Sequence, residues 1–153
     1  MKLTDNQEKK YNQIIEKLKS KNIRMTEIRS AVIKSIIKSK DHVTTQDIVK
    51  ELEAKFDNVN LMSVYNTLDL LLENHILFAN TFNGKSICYE IAAERSMHIK
   101  CDKCGQVDHV EDAIMDKFDF VEISKISDLL GMSLEHFKIE AHGLCKKCKK
   151  CES

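Results

Sequence analysis

The chain of 153 residues has no proline, only three arginines (Arg24, Arg29 and Arg95), and no apolar run that approaches ~18 residues. The last absence excludes a membrane-spanning helix. From Met1 to Lys10 the sequence is polar and charged, without the apolar stretch of a secretory signal, so a cytoplasmic location is expected. With no export signal, six cysteines argue for metal ligation or free thiols rather than disulfides. The missing proline also argues against a zinc deaminase, whose cysteine pair follows a proline. No segment is of low complexity and nothing repeats internally.

What is present is a pair of Cys-x-x-Cys motifs in the C-terminal third, Cys101-Asp102-Lys103-Cys104 followed by Gly105, and Cys145-Lys146-Lys147-Cys148. Together they supply the four thiolates of a tetrahedral structural Zn²⁺ site, one per chain. The pairs are far apart in sequence, so the ion closes a domain around itself. A four-thiolate shell leaves no open position for water. A thioredoxin-like dithiol would stand once at a strand-to-helix turn, whereas these pairs come twice and flank strands. An enzyme is therefore not expected. A zinc-ribbon or rubredoxin-like interaction or electron-transfer module could use the same knuckles, but it would leave the first half unexplained. Of the two remaining cysteines, Cys88 reads as a small buried hydrophobe and Cys151 as a tail thiol.

The net charge of zero hides a gradient. Residues 1–40 carry eleven Lys and Arg against four acids, and residues 41–91 carry three against eight. A basic leading segment before acidic helices suits contact with a polyanion at one edge. The apolar spacing predicts a helix over 10–18 (Tyr11, Ile14, Ile15, Leu18) and a second after a cap at Thr26 (Ile28, Ala31, Val32, Ile36). A third helix follows Thr44-Thr45-Gln46-Asp47 (Ile48, Val49, Leu52, Phe56), and a fourth spans about 60–74 (Val64, Leu68, Leu71, Leu72). Residues 76–82 and 86–91 then flank Asn83-Gly84, a hairpin signal. Strands are expected at 98–100 and 106–110, one helix over 112–130 stopped by Gly131, and a strand over 133–141 leading to the second knuckle, with a mobile lysine-rich end. The fold expected is α+β: a winged helix-turn-helix domain over 1–91 and a small α/β domain with a four-cysteine structural zinc site over 92–153, the domain that the resemblance described below implies is the dimerisation domain.

The start of the fourth helix presents Ser63, Tyr65, Asn66 and Thr67. In a helix-turn-helix that end enters the major groove, where Asn bonds adenine, Tyr and Thr touch thymine methyls, and Ser or Thr bonds phosphate. Asp69 and Glu73, further along, would be repelled by phosphates.

The runs Arg24-Met25-Thr26 with Arg29, His42 before an acidic helix, Ser63-Val64-Tyr65-Asn66-Thr67-Leu68, Gly84-Lys85-Ser86 with Tyr89-Glu90, His98-Ile99-Lys100-Cys101 through Gly105, and Gly143-Leu144-Cys145 through Cys148 occur in order. In this ordered set the chain resembles the ferric uptake regulator (Fur) family of metal-dependent repressors, over about residues 20–150. The resemblance implies a homodimer that binds double-stranded DNA at a palindromic operator and represses metal-uptake genes in response to a divalent ion. It implies no membrane partner and no small-molecule substrate. DNA contacts are expected from Arg24, Thr26, Arg29, Ser63, Tyr65, Asn66 and Thr67. A regulatory ion is expected on His42, Glu90, His98 and His109. Three imidazoles and a carboxylate suit Fe²⁺ or Zn²⁺, with Ni²⁺ and Co²⁺ also compatible and Mn²⁺ less so. Where the family usually has a further His this chain has Ser96, and where it usually has Asp or Glu it has His109. Arg95, Met97 and Phe137 stand where some members hold another ion. Asn66 after Tyr65 is the pattern of the family's peroxide-sensing branch, which gives an alternative: a peroxide-sensing repressor of oxidative-stress genes using Fe²⁺ at the same site.

Overall fold

A computed structural model describes residues 2–39, 42–81, 86–93 and 95–150. The chain divides into two compact units, Met1–Ala92 and Ala93–Ser153.

The first unit carries four helices and a small sheet. Helix α1 (Asp5–Ser20) starts earlier than its apolar spacing suggests. A capping box between Thr4 and Gln7 satisfies the first N–H groups, so the helix begins before its first buried residue. Helix α2 (Glu27–Lys38) is capped by the Thr26 side chain, strand β1 is Val43–Thr44, and helix α3 (Thr45–Glu53) has a second capping box, Thr44 with Asp47. Hydrogen bonds from Thr44 hold the Asp47 carboxyl below its usual range. Helix α4 (Leu61–Glu73) is capped by Asn60 and stopped at Asn74, after which His75 turns back in the left-handed region at φ 51°.

Strands β2 (Leu77–Asn80) and β3 (Cys88–Ile91) pair antiparallel, and β1 joins the far side of β3, giving the order β1-β3-β2. The expected Asn83-Gly84 turn lies outside the described residues. Helix-turn-helix α3–α4 followed by this hairpin is a winged-helix arrangement. Its core is aliphatic: Leu18, Val32, Ile33, Ile48, Leu52, Val64, Leu68, Leu71 and Leu77 are buried or nearly so. Each such side chain contributes about 1.5–3 kcal/mol on leaving water.

The second unit contains β4 (Arg95–Cys101), β5 (Val107–His109), α5 (Asp112–Met115), α6 (Val121–Leu129), β6 (Phe137–Gly143) and α7 (Lys146–Lys150). Strand β4 is central, antiparallel to β5 and parallel to β6. The single helix expected over 112–130 is broken in two. The Asp119 carboxylate accepts the Val121 N–H at 2.9 Å, and this local bond competes with helical continuation and starts α6 afresh. The last strand begins at Phe137 rather than Ser133. The lysine-rich end is helical through Lys150, a correction to the expected mobile tail, and Cys151 lies outside the described residues. Among the described residues this unit buries only Cys101 and Met115 from the apolar class. No helix among the described residues is long and apolar enough to cross a membrane.

Candidate metal centres and nucleic-acid surface

Parallel pairing of β4 with β6 places Cys101 opposite Gly143, so both strands end at the same edge of the sheet. Each end runs at once into a Cys-x-x-Cys, and the two knuckles meet there. The left-handed turn at Gly105 (φ 75°) closes the first knuckle, its N–H bonding the Cys101 carbonyl at 2.9 Å. The ligand sulfurs of Cys101, Cys104, Cys145 and Cys148 all lie within 4.8 Å of one another. Cys104 and Cys145 Sγ are 3.8 Å apart. A tetrahedron with Zn–S bonds of about 2.3 Å has edges of about 3.8 Å, so the donor set fits Zn²⁺.

Backbone N–H groups of Cys104 and Cys145 point at the Cys101 sulfur, the latter at 3.3 Å, and hold its thiol down at about 6. Cys148 shares a hydrogen bond with Cys145 and is pushed up to about 12. The fold thus favours the thiolate at Cys101 and the thiol at Cys148, whose proton a bound metal displaces. These four cysteines form the structural zinc site.

Two further donor pairs are built by strand register. In the first unit, pairing of Val43 with Tyr89 and Thr44 with Cys88 runs on to bring His42 beside Glu90. Their Nε2 and Oε2 atoms are 3.1 Å apart, and both side chains are mostly shielded. In the second unit, His98 and His109 are directly opposite on β4 and β5. Their rings meet edge to face at 4.8 Å between centroids, with Nε2 of His98 3.0 Å from Nδ1 of His109. His98 is fully buried and His109 exposed. The fold therefore makes each pair separately, within its own unit. An imidazole beside a carboxylate and an imidazole beside an imidazole are donor sets that fit a divalent ion of the Fe²⁺–Zn²⁺ range.

Other positions flagged by the sequence have different partners. Arg95 forms an ion pair with Asp116, and Phe137 packs on Phe120 at 5.0 Å between centroids, which fills that region with a salt bridge and an aromatic pair. His142 is bracketed by Asp102 at 2.8 Å and Glu140 at 3.1 Å, and the Asp102 hydrogen bond raises its pKa. Ser96, buried on β4, has a hydroxyl without a hydrogen-bond partner among the described residues. Cys88 is half-buried, and desolvation raises its pKa.

On α4 the first turns expose Leu61, Met62, Tyr65 and Asn66, with Ser63 partly covered. Thr67 is a correction: it is buried, and its hydroxyl donates to the Ser63 carbonyl at 2.7 Å, so it serves the helix and faces the core. Thr26 is exposed and accepts the Arg29 N–H as a cap, at 3.2 Å. The Arg29 guanidinium donates to the Arg24 carbonyl, and Arg24 is itself exposed. Asn80 was missed from sequence. It is buried on β2 and donates to Glu90 Oε1 at 2.9 Å. A polar residue two positions after a fully apolar pair in a short strand was the available signal.

The model of the ferric uptake regulator family matches residues 20–142. The peroxide operon regulator of Bacillus subtilis (strain 168) is 27% identical over 139 residues, covering 91% of this chain and 93% of that protein. The Helicobacter pylori ferric uptake regulator superposes with a TM-score of 0.66 at 21% identity over the whole of both chains. The peroxide-sensing regulator PerR of Streptococcus pyogenes superposes with a TM-score of 0.51 at 27% identity, covering 90% of this chain and 92% of that one.

Proposed function

The chain belongs to the ferric uptake regulator family, and from that premise we propose that it is a metal-dependent, DNA-binding repressor whose signal is peroxide. The observation that carries the metal-dependent part is the pair of ready-made donor sets, His42 with Glu90 and His98 with His109. In this reading these histidines and this carboxylate are the ligands of the regulatory ion. The ion favours DNA binding only to the extent that the DNA-binding form holds it more tightly than the other form does. That difference sets how far DNA affinity can rise. The peroxide part is supported by relatives named for that response and by the exposed Asn66 after Tyr65.

When bound, Fe²⁺ supplies one-electron chemistry toward peroxide beside the imidazoles. Peroxide would deliver one oxygen atom to the ring of His98, which is buried and fixed by its register with His109, and leave as water, and the oxidised ring would lose its hold on the ion. With the regulatory ion lost, DNA would be released. Tyr65, Asn66 and Ser63 read the operator from the first turns of α4, and Arg24, Arg29 and Thr26 lie at or near the start of α2 to meet phosphates. The protein acts as a homodimer, for which α6 offers an apolar surface. A second reading, control of metal-uptake genes by the ion alone, is favoured by His109, an imidazole where the family usually has a carboxylate.

Operator binding, measured with zinc-loaded protein and several divalent ions separately, tests the common part. Tight binding without the second ion would end it. Mass spectrometry of the Fe²⁺ form after peroxide separates the two signals: a histidine heavier by one oxygen is expected, and unmodified histidines together with undiminished DNA binding would leave only the metal signal.

A further inference from the structure

Glu90 stands on the middle strand of the β1-β3-β2 sheet, with a neighbour from each flank. From the β1 side His42 Nε2 meets Oε2 at 3.1 Å. From the β2 side Asn80 Nδ2 donates to Oε1 at 2.9 Å. The register pairs Phe78 with Glu90 and Asn80 with Cys88, so the Asn80–Glu90 bond is a diagonal across one face of the hairpin. Asn80 is 4% exposed, and its Oδ1 has no hydrogen-bond partner among the described residues.

Asparagine is disfavoured in strands, and a buried amide using one of its hydrogen-bonding groups while another stays unsatisfied costs stability. An apolar residue at this position would pack into the sheet without that cost. What the amide gives in return is a fixed carboxylate. We propose that Asn80 is a positioning residue for the regulatory ion, holding Glu90 Oε1 so that Oε2 is presented as a ligand; this rests on the reading of Glu90 as a ligand. In the ion-free arrangement both His42 and Asn80 hold Glu90. Once His42 and Glu90 both turn their lone pairs to an ion, the bond between them is gone. Asn80 is then a hydrogen-bond donor in the sheet that still orients the carboxylate. Partners of this kind, one bond removed from the ion, typically change metal affinity 10–100-fold.

The test uses full-length, zinc-loaded protein titrated with Co²⁺, followed by its visible absorption bands. Asn80→Leu removes the donor and keeps the branched outline of the side chain. It is expected to weaken Co²⁺ binding about 10–100-fold and to shift the bands, with the thermal melt of the zinc-only protein not lowered. In a Glu90→Gln background the same substitution should cause no further loss. Should Asn80→Leu fail to fold, the isosteric Asn80→Asp must show the weakening instead. Wild-type Co²⁺ binding by the folded Asn80 variant, while Glu90→Gln binds poorly, would overturn the proposal and leave Glu90 as a ligand. An equal loss in both backgrounds would mark a structural role and also overturn it. Wild-type binding by Glu90→Gln itself would remove the ligand reading and the proposal together.

Discussion

Asn66 and Thr67 are neighbours on α4 with opposite surroundings. Thr67 lies three residues after Val64 and four before Leu71, which puts it on the helix's buried stripe. Its hydroxyl is tolerated there because the Ser63 carbonyl, one turn back, accepts it. That placement was legible in the spacing, but a polar residue type next to Asn66 drew it into the candidate contact set. Asn66, one residue earlier, is turned to solvent. Asn66→Ala should therefore reduce discrimination between a selected operator and its single-base variants by about 1–3 kcal/mol at one position. Thr67→Val should leave operator affinity unchanged. Fluorescence anisotropy with duplexes selected from a random pool measures both. Equal losses in the two variants would mean that α4 meets DNA by a different face.

At the scale of elements, capped helices and the strands β2 to β5 were legible, and β1 was not. Thr26, Thr44 and Asn60 each start a helix where the sequence places a side-chain acceptor before an apolar stripe. Strand β1, two residues long, has no periodicity to detect, yet its register is what delivers His42 to Glu90. The donor pairs were named from family resemblance, and the register supplies the physical cause that spacing alone could not. Helix α6 was expected as part of a longer amphipathic helix. It buries none of its residues within the chain: Ile126 is 58% exposed and Leu129 86%. Apolar exposure on this scale marks an association surface. In a two-fold dimer each substitution acts twice. Leu129→Asp should then raise the dimer dissociation constant by at least about a hundredfold, since a lost buried leucine costs about 1.5–3 kcal/mol per copy. Sedimentation equilibrium of the zinc-loaded protein reads this directly, and an unchanged constant would place the partner surface elsewhere.

The two units differ in what holds them together. Among the described residues, sixteen buried apolar ones form one cluster in the first, from Ile14 to Tyr89. The second has Cys101 and Met115 among its described residues. An aliphatic core of the first kind is sufficient for a small domain, whereas a unit with so little buried apolar area needs an external staple. The four-cysteine site is that staple, and its free energy is folding free energy. A strong chelator should therefore melt the sheet β5-β4-β6 while α1 to α4 keep their cooperative transition. Hydrogen exchange resolved along the chain measures this: protection should vanish at β4 and β6 and persist at Leu18, Ile33 and Leu68. Acid should act in the same direction. Each thiolate that binds zinc has given up a proton, so the stability the metal confers is present at neutral pH. It is lost as falling pH returns protons to Cys101, Cys104, Cys145 and Cys148. Buffering free Zn²⁺ higher should move that loss to lower pH. Persistent protection of β4 after complete zinc removal would mean that the second unit is held by something other than its four sulfurs.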